Sequence, residues 1–166
     1  MSRDEIREIA DIVGDDRAYT HFIKRINKEF ELSDEERNSK VYVIFQENKK
    51  GKRVGFVVIG HSPAKMRVWK QTFKEEGWVK DDFEMDADPF ELMYMYVKPE
   101  LRGKGYSNKL FEKVLAFTKD KGTREIYAYV SDRNPAALNF YKKKKAKVIQ
   151  DFSDEELSTA FLSWKL

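Results

Sequence analysis

Cysteine is absent from all 166 residues. That excludes a disulfide scaffold, a cysteine-ligated zinc site and a thiol nucleophile. Histidine occurs only at His21 and His61, with no ligand-like spacing around either, so no metal site is expected. Proline is confined to positions 63, 89, 99 and 135, which all read as element boundaries. No apolar run approaches the ~18 residues that a membrane span needs. The opening Met1-Ser2-Arg3-Asp4-Glu5 is charged and leads into no apolar h-region, so no secretory leader is expected. A large charge of one sign is missing too. With 32 Lys and Arg against 29 Asp and Glu, the net charge is +3, a weak overall field. A polycationic nucleic-acid tail is thereby excluded. The expectation is a soluble cytoplasmic protein, with neither nucleic acid nor membrane among its partners.

What is present suits a core. Hydrophobic residues make up 41% and aromatics 14% of the chain, enough for one domain spanning 1–166. Ser2 to Glu5 has the form of a capping box. Ile6, Ile9, Ile12 and Val13 then recur at helical spacing, and Gly14 ends the run. A second helix is expected over Asp15–Phe30, followed by a polar turn at Ser33–Glu36. Val41–Phe45 and Val54–Ile59 read as strands, joined by the turn chemistry of Asn48-Lys49-Lys50-Gly51. Ser62-Pro63 offers a cap and a first helical residue, and Met66, Trp69 and Phe73 form a stripe that ends near Gly77. Glu91–Val97 is a third strand, Gly103–Lys121 a helix, and Ile126–Val130 a fourth strand. A helix from Pro135 to about Lys144 follows. Two strands, Val148–Phe152 and Thr159–Leu166, close the chain and are able to pair antiparallel.

The order implies an α/β fold. A strand, helix and strand in succession require the strands Glu91–Val97 and Ile126–Val130 to be parallel neighbours. The connecting segment is the most informative in the chain: Val97-Lys98-Pro99-Glu100-Leu101-Arg102-Gly103-Lys104-Gly105-Tyr106-Ser107. A strand ends and a helix begins among glycines, where unpaired N–H groups and a partial positive charge favour an anion. Arg102 and Lys104 add full charges. A P-loop is excluded because Gly-x-x-x-x-Gly-Lys-Ser/Thr is absent. A dinucleotide fingerprint is excluded because position 108 is Asn.

Arg102-Gly103-Lys104-Gly105-Tyr106-Ser107 resembles the Arg/Gln-x-x-Gly-x-Gly/Ala motif of the GNAT superfamily of acyl-CoA-dependent N-acetyltransferases. Ser107 stands where Gly or Ala is usual. Tyr96-Val97-Lys98-Pro99 is similar to the strand end that precedes the family's loop. About thirty residues on, Asn134-Pro135-Ala136-Ala137-Leu138-Asn139-Phe140-Tyr141 resembles the family's Asn-x-x-Ala-x-x-x-Tyr segment. The resemblance covers roughly residues 41 to 166. It implies a mixed, mostly antiparallel, twisted sheet flanked by helices around a central parallel β-α-β unit. It departs from the family at the start, where the chain opens on a helix instead of a strand. It departs again after Tyr141, where Lys142–Lys145, Ala146 and Lys147 replace the usual Gly-Phe. That basic run reads as a solvated helix end, with a contact to the 3′-phosphate of coenzyme A as the alternative.

The resemblance implies an acetyl-CoA co-substrate, no metal, and direct transfer to a primary amine in a ternary complex. The loop amides at Arg102, Gly103, Lys104, Gly105, Tyr106 and Ser107 would hold the pyrophosphate. Asn134 would contact the cofactor arm. Tyr141 would sit beside the thioester sulfur and serve the leaving thiolate; its plainer reading is a core aromatic. A backbone N–H at Tyr96 or Val97 would serve the acyl oxygen. Glu91 stands at the spacing of a general base in some members, with Asp88 as the fallback; its plainer reading is a solvated strand-start carboxylate.

About 29 residues, His61 to Pro89, separate strands that the family joins directly, so a helical insertion is expected there. Its aromatic stripe reads as packing, or as a lid. Asp81, Asp82, Glu84, Asp86 and Asp88 make it acidic, which suits a cationic acceptor such as a polyamine, a lysine side chain or an aminoglycoside, or else a solvated loop. The different-class alternative is a non-catalytic acyl-CoA-binding or sensor module. The acceptor could be a small molecule or a protein, and a homodimer remains an option.

Overall fold

The computed structural model describes residues 1–16, 23–24, 39–131, 134–151 and 159–166. The helix expected over 15–30 falls mostly, and the turn at 33–36 wholly, outside them. Helix α1 (Arg3–Val13) carries the expected capping box. The Glu5 N–H donates to Ser2 Oγ at 3.2 Å, and the Ser2 N–H donates to Glu5 Oε2 at 2.6 Å. Ile6, Ile9, Ile12 and Val13 are buried on one face. Strands β1 (Lys40–Glu47) and β2 (Arg53–His61) follow, then helix α2 (Pro63–Glu75) inside the expected insertion and strand β3 (Phe90–Val97). A 3-10 turn over Pro99–Leu101 leads to helix α3 (Tyr106–Asp120). Strand β4 (Glu125–Ser131), helix α4 (Pro135–Lys143) and strands β5 (Lys147–Asp151) and β6 (Thr159–Lys165) complete the chain.

The six strands bond in the order β1-β2-β3-β4-β6-β5. β3 and β4 are parallel, with Phe90 opposite Ile126 and Glu91 opposite Tyr127. β4 pairs β6 antiparallel along its full length, and β5 pairs β6 antiparallel. This is the mixed, mostly antiparallel sheet expected. Two details differ. α3 starts at Tyr106, not Gly103, because Gly103 and Gly105 sit at φ +75° and +82°, which a right-handed helix does not admit. Ser62 occupies the cap of α2 but makes no side-chain capping bond; only its carbonyl accepts, from Met66 N–H at 3.1 Å.

Contacts gather the chain into two compact units. The first comprises Met1–Gly60 and Tyr94–Phe117. Here α1 is tied to the hairpin by the N-terminal ammonium, which donates to Val41 O at 2.7 Å, and by an ion pair between Arg53 and Glu8. α3 is tied to it by Lys113 Nζ, donating to Phe45 O at 2.9 Å, and by the Tyr42–Phe117 ring contact at 5.1 Å.

The second unit comprises His61–Met93 and Thr118–Leu166. Met66 and Phe73 of α2 pack on Tyr127 of β4 and Phe161 of β6, with Trp69 and Tyr129 against them. Tyr141 of α4 packs edge-on against Trp164 at 5.2 Å. Phe161 and Trp164 lie three apart on one strand, so they point to opposite faces. α2 and α4 therefore cover opposite faces of the β4–β6 ladder. Burial of these large aromatics is the principal stabilisation here, at roughly 25 cal/mol per Å².

Candidate active site

The loop between β3 and α3 lies in the first unit. Lys98 N–H donates to Val54 O at 3.0 Å, and the Tyr96 ring stacks on Phe56 at 5.6 Å. The peptide groups of Lys98 and Tyr96 therefore face β2, and alternation turns that of Val97 the other way. The Val97 carbonyl accepts from Arg102 Nε at 3.0 Å. The Arg102 guanidinium also lies 5.6 Å over the Tyr96 ring and 3.7 Å from Asp16 Oδ2, which accepts from the Tyr96 hydroxyl at 3.1 Å. Arg102 thus staples the loop to its strand. β2 comes close beside it: a Cβ on Gly55 would stand 2.6 Å from Tyr96 O. The loop glycines differ. Gly103 and Gly105 both hold positive φ, and a Cβ on either would meet nothing within 4 Å. Lys109 N–H donates to Gly105 O at 3.2 Å, so α3 begins there, and its first N–H groups have no partner within the helix.

Glu91, Asn134 and Tyr141 lie in the second unit. Glu91 is buried, its side chain 9% exposed, and its Oε2 accepts from Lys65 Nζ at 2.7 Å. Lys65 and Trp69 are four apart on α2, hence one turn apart on the same side, and the ammonium rests 4.5 Å over the indole. Tyr129 meets Trp69 edge-on at 4.6 Å. Burial, and secondarily the charge of Glu91, push its phenol up to about 12. Asn134 caps α4, accepting from Ala137 N–H at 3.1 Å. Its amide oxygen is thereby engaged with the helix. Tyr141 is 6% exposed and packs against Phe140 and Trp164.

A profile of the Acetyltransferase (GNAT) family matches residues 6–145. The chain belongs to the GNAT acetyltransferase family. Thialysine N-epsilon-acetyltransferase from Bos taurus is 39% identical over 62 residues, 37% of this chain and 35% of that protein. The match thus spans about a third of that curated relative's length. A putative acetyltransferase of the GNAT family from Desulfovibrio desulfuricans superposes with a TM-score of 0.64 at 12% identity, covering 99% of this chain and 93% of that one. PaiA N-acetyltransferase from Thermoplasma acidophilum, solved in complex with coenzyme A, gives a TM-score of 0.56 at 18% identity, covering 100% and 80%. At such identities the structural likeness speaks to the fold.

In this chain most of the acidic stretch is engaged in intramolecular contacts. Asp86 Oδ2 accepts from the N–H groups of Arg124 and Glu125 at 2.7 and 3.1 Å. Asp88 bonds to His61 at 2.5 Å. Glu84 pairs with Lys70 and lies 3.7 Å from Lys74, and the Lys70 hydrogen bond and charge lower its carboxyl below the usual range. Asp81 is held only through its carbonyl, which accepts from Lys74 Nζ at 2.6 Å, and the carboxylates of Asp81 and Asp82 carry no such role among the described contacts. Sequence reasoning missed Lys65, whose signal was its spacing from Trp69. It missed Asp16 as well, which no local pattern marks as the partner of Tyr96.

Proposed function

We propose that this GNAT chain moves an acetyl group from acetyl-CoA to a primary amine by direct transfer in a ternary complex. The observation that carries the reading is the backbone at 102–107. Two glycines at positive φ, with open space where a Cβ would be, precede a helix start whose N–H groups have no intrahelical partner. A diphosphate fits that cradle, and Lys104 adds charge beside it. Acetyl-CoA supplies the activated acyl thioester when bound.

The remaining work belongs to side chains and backbone of this protein. Arg102 holds the loop by its bond to Val97 O. The Val97 N–H, turned away from β2, is the better placed of the two candidate donors for the acyl oxygen. The Asn134 amide NH₂ donates to the cofactor arm. Glu91 accepts the proton that the amine must lose, since a free alkylamine is protonated below a pKa of about 10.4. Tyr141 gives a proton to the departing thiolate. With no cysteine in the chain, a cysteine acyl-enzyme is chemically excluded.

The test is incubation of the full chain with acetyl-CoA and a panel of primary amines, following free thiol. Amine-dependent thiol release is expected. Coenzyme A binding without release for any amine would support the acyl-CoA-binding module instead. No binding at all would overturn the reading.

A further inference from the structure

The Glu91 carboxylate already holds a ligand-like group. Its partner is the primary ammonium of Lys65, at 2.7 Å, with the Trp69 ring 4.5 Å beneath that nitrogen and Tyr129 edge-on to the indole. A carboxylate, an aromatic face and a half-buried phenol are the elements that select a cation with N–H donors. The two partners are unequally buried. Glu91 is 9% exposed, whereas the Lys65 side chain is 39% exposed. The acceptor is therefore fixed in the protein, and the donor reaches it on a flexible four-carbon stem from the first turn of α2. An ion pair of this kind adds little net stability compared with apolar packing. Glu91, Trp69 and Tyr129 also occupy the α2 face of the sheet, the face opposite Tyr141.

We infer that Glu91, Trp69 and Tyr129 form a primary-ammonium subsite, that Lys65 is its intramolecular occupant, and that a cationic acceptor enters by displacing it. The substrate class is then an unbranched primary alkylammonium, matching the lysine stem that fills the subsite now. Quaternary ammonium ions are disfavoured because they bring no N–H for Glu91. Lys65 acts as a specificity-determining residue: an acceptor must outcompete a tethered ammonium. Use of the subsite for catalysis rests on the acetyltransferase reading; its ammonium binding does not.

The experiment removes the tether. The full-length Lys65→Ala variant is titrated with n-butylammonium chloride and its thermal midpoint is followed. Sodium chloride and tetramethylammonium chloride at equal ionic strength are the controls. The variant should show a saturable rise with butylammonium alone, at concentrations at least about tenfold below any effect on the unmodified chain, because a buried charge left unpaired regains its partner. The rise should vanish in Lys65→Ala/Glu91→Gln. Lys65→Ser is the second background, in which the same behaviour is expected. A flat titration in both variants, or an equal rise in the unmodified chain, overturns the subsite. Failure of thiol release with every amine, alongside a positive titration, overturns the acetyltransferase reading and leaves the subsite standing.

Discussion

Glu91 and Tyr141 belong to opposite faces of one sheet. Glu91 reaches Lys65 on α2, and Tyr141 packs from α4 on Trp164, two strand faces that residue alternation separates. The two groups proposed to move protons are therefore not in direct contact with each other. Their effects are separable by substitution.

Tyr141→Phe keeps the ring contact with Trp164 and removes the hydroxyl. Turnover should fall by about 100-fold or more, the usual scale for a lost general acid. Coenzyme A affinity by calorimetry should barely change. Unaltered turnover with weakened binding would reduce Tyr141 to a packing role.

Gly105→Ala forces a Cβ residue to φ +82°. The added carbon meets no atom, so the cost is backbone strain alone, about 1–2 kcal/mol. Chemical denaturation should read that loss, and coenzyme A affinity should drop as the loop relaxes. Gly51→Ala, at φ +73° in the β1–β2 turn, is the matched control. It should lose similar stability and keep its coenzyme A affinity.

Asp86→Ala removes the acceptor for two backbone N–H groups at the start of β4. A stability loss of about 1–3 kcal/mol is expected, seen as a lower denaturation midpoint. Asp81→Asn/Asp82→Asn should leave stability unchanged. If those two acids attract a cationic acceptor, their loss raises the Michaelis constant for amines; an unchanged value removes them from substrate binding.

Tyr129 supplies a pH signature. Its folded pKa is raised to about 12 from an unfolded value of 10.0, first by burial and then by Glu91. The folded state thus favours the protonated phenol. Its contribution is complete below pH 10 and is lost as pH rises from 10 to 12. Tyr127, raised in the same direction chiefly by burial, adds to the loss. Urea midpoints across this range should decline, and Tyr129→Phe should make the decline shallower.

The elements that local chemistry specifies were legible in the sequence. The Ser2–Glu5 capping box, the hairpin at Asn48–Gly51 and the parallel neighbours on either side of the glycine loop all follow from residue type and spacing. The start of α3 was placed too early because glycine identity does not report the sign of φ. The acidic stretch reads as suiting a cationic acceptor or as a solvated loop, since sequence cannot show that Asp86 faces two backbone donors or that Asp88 faces His61. The partners of the site residues were least legible. Tyr96 meets Asp16, and Glu91 meets Lys65, across separations that carry no periodic signal.

Gly55 has a consequence for mutational tolerance. A Cβ there would stand 2.6 Å from the Tyr96 carbonyl and 3.3 Å from Val97 Cα. Position 55 should reject every side chain regardless of size or polarity, because the first carbon already collides with backbone. Position 103 meets no protein atom instead, so its effect on stability should be graded by the strain of its φ. In a saturation library selected for activity, glycine at 55 should be retained without exception.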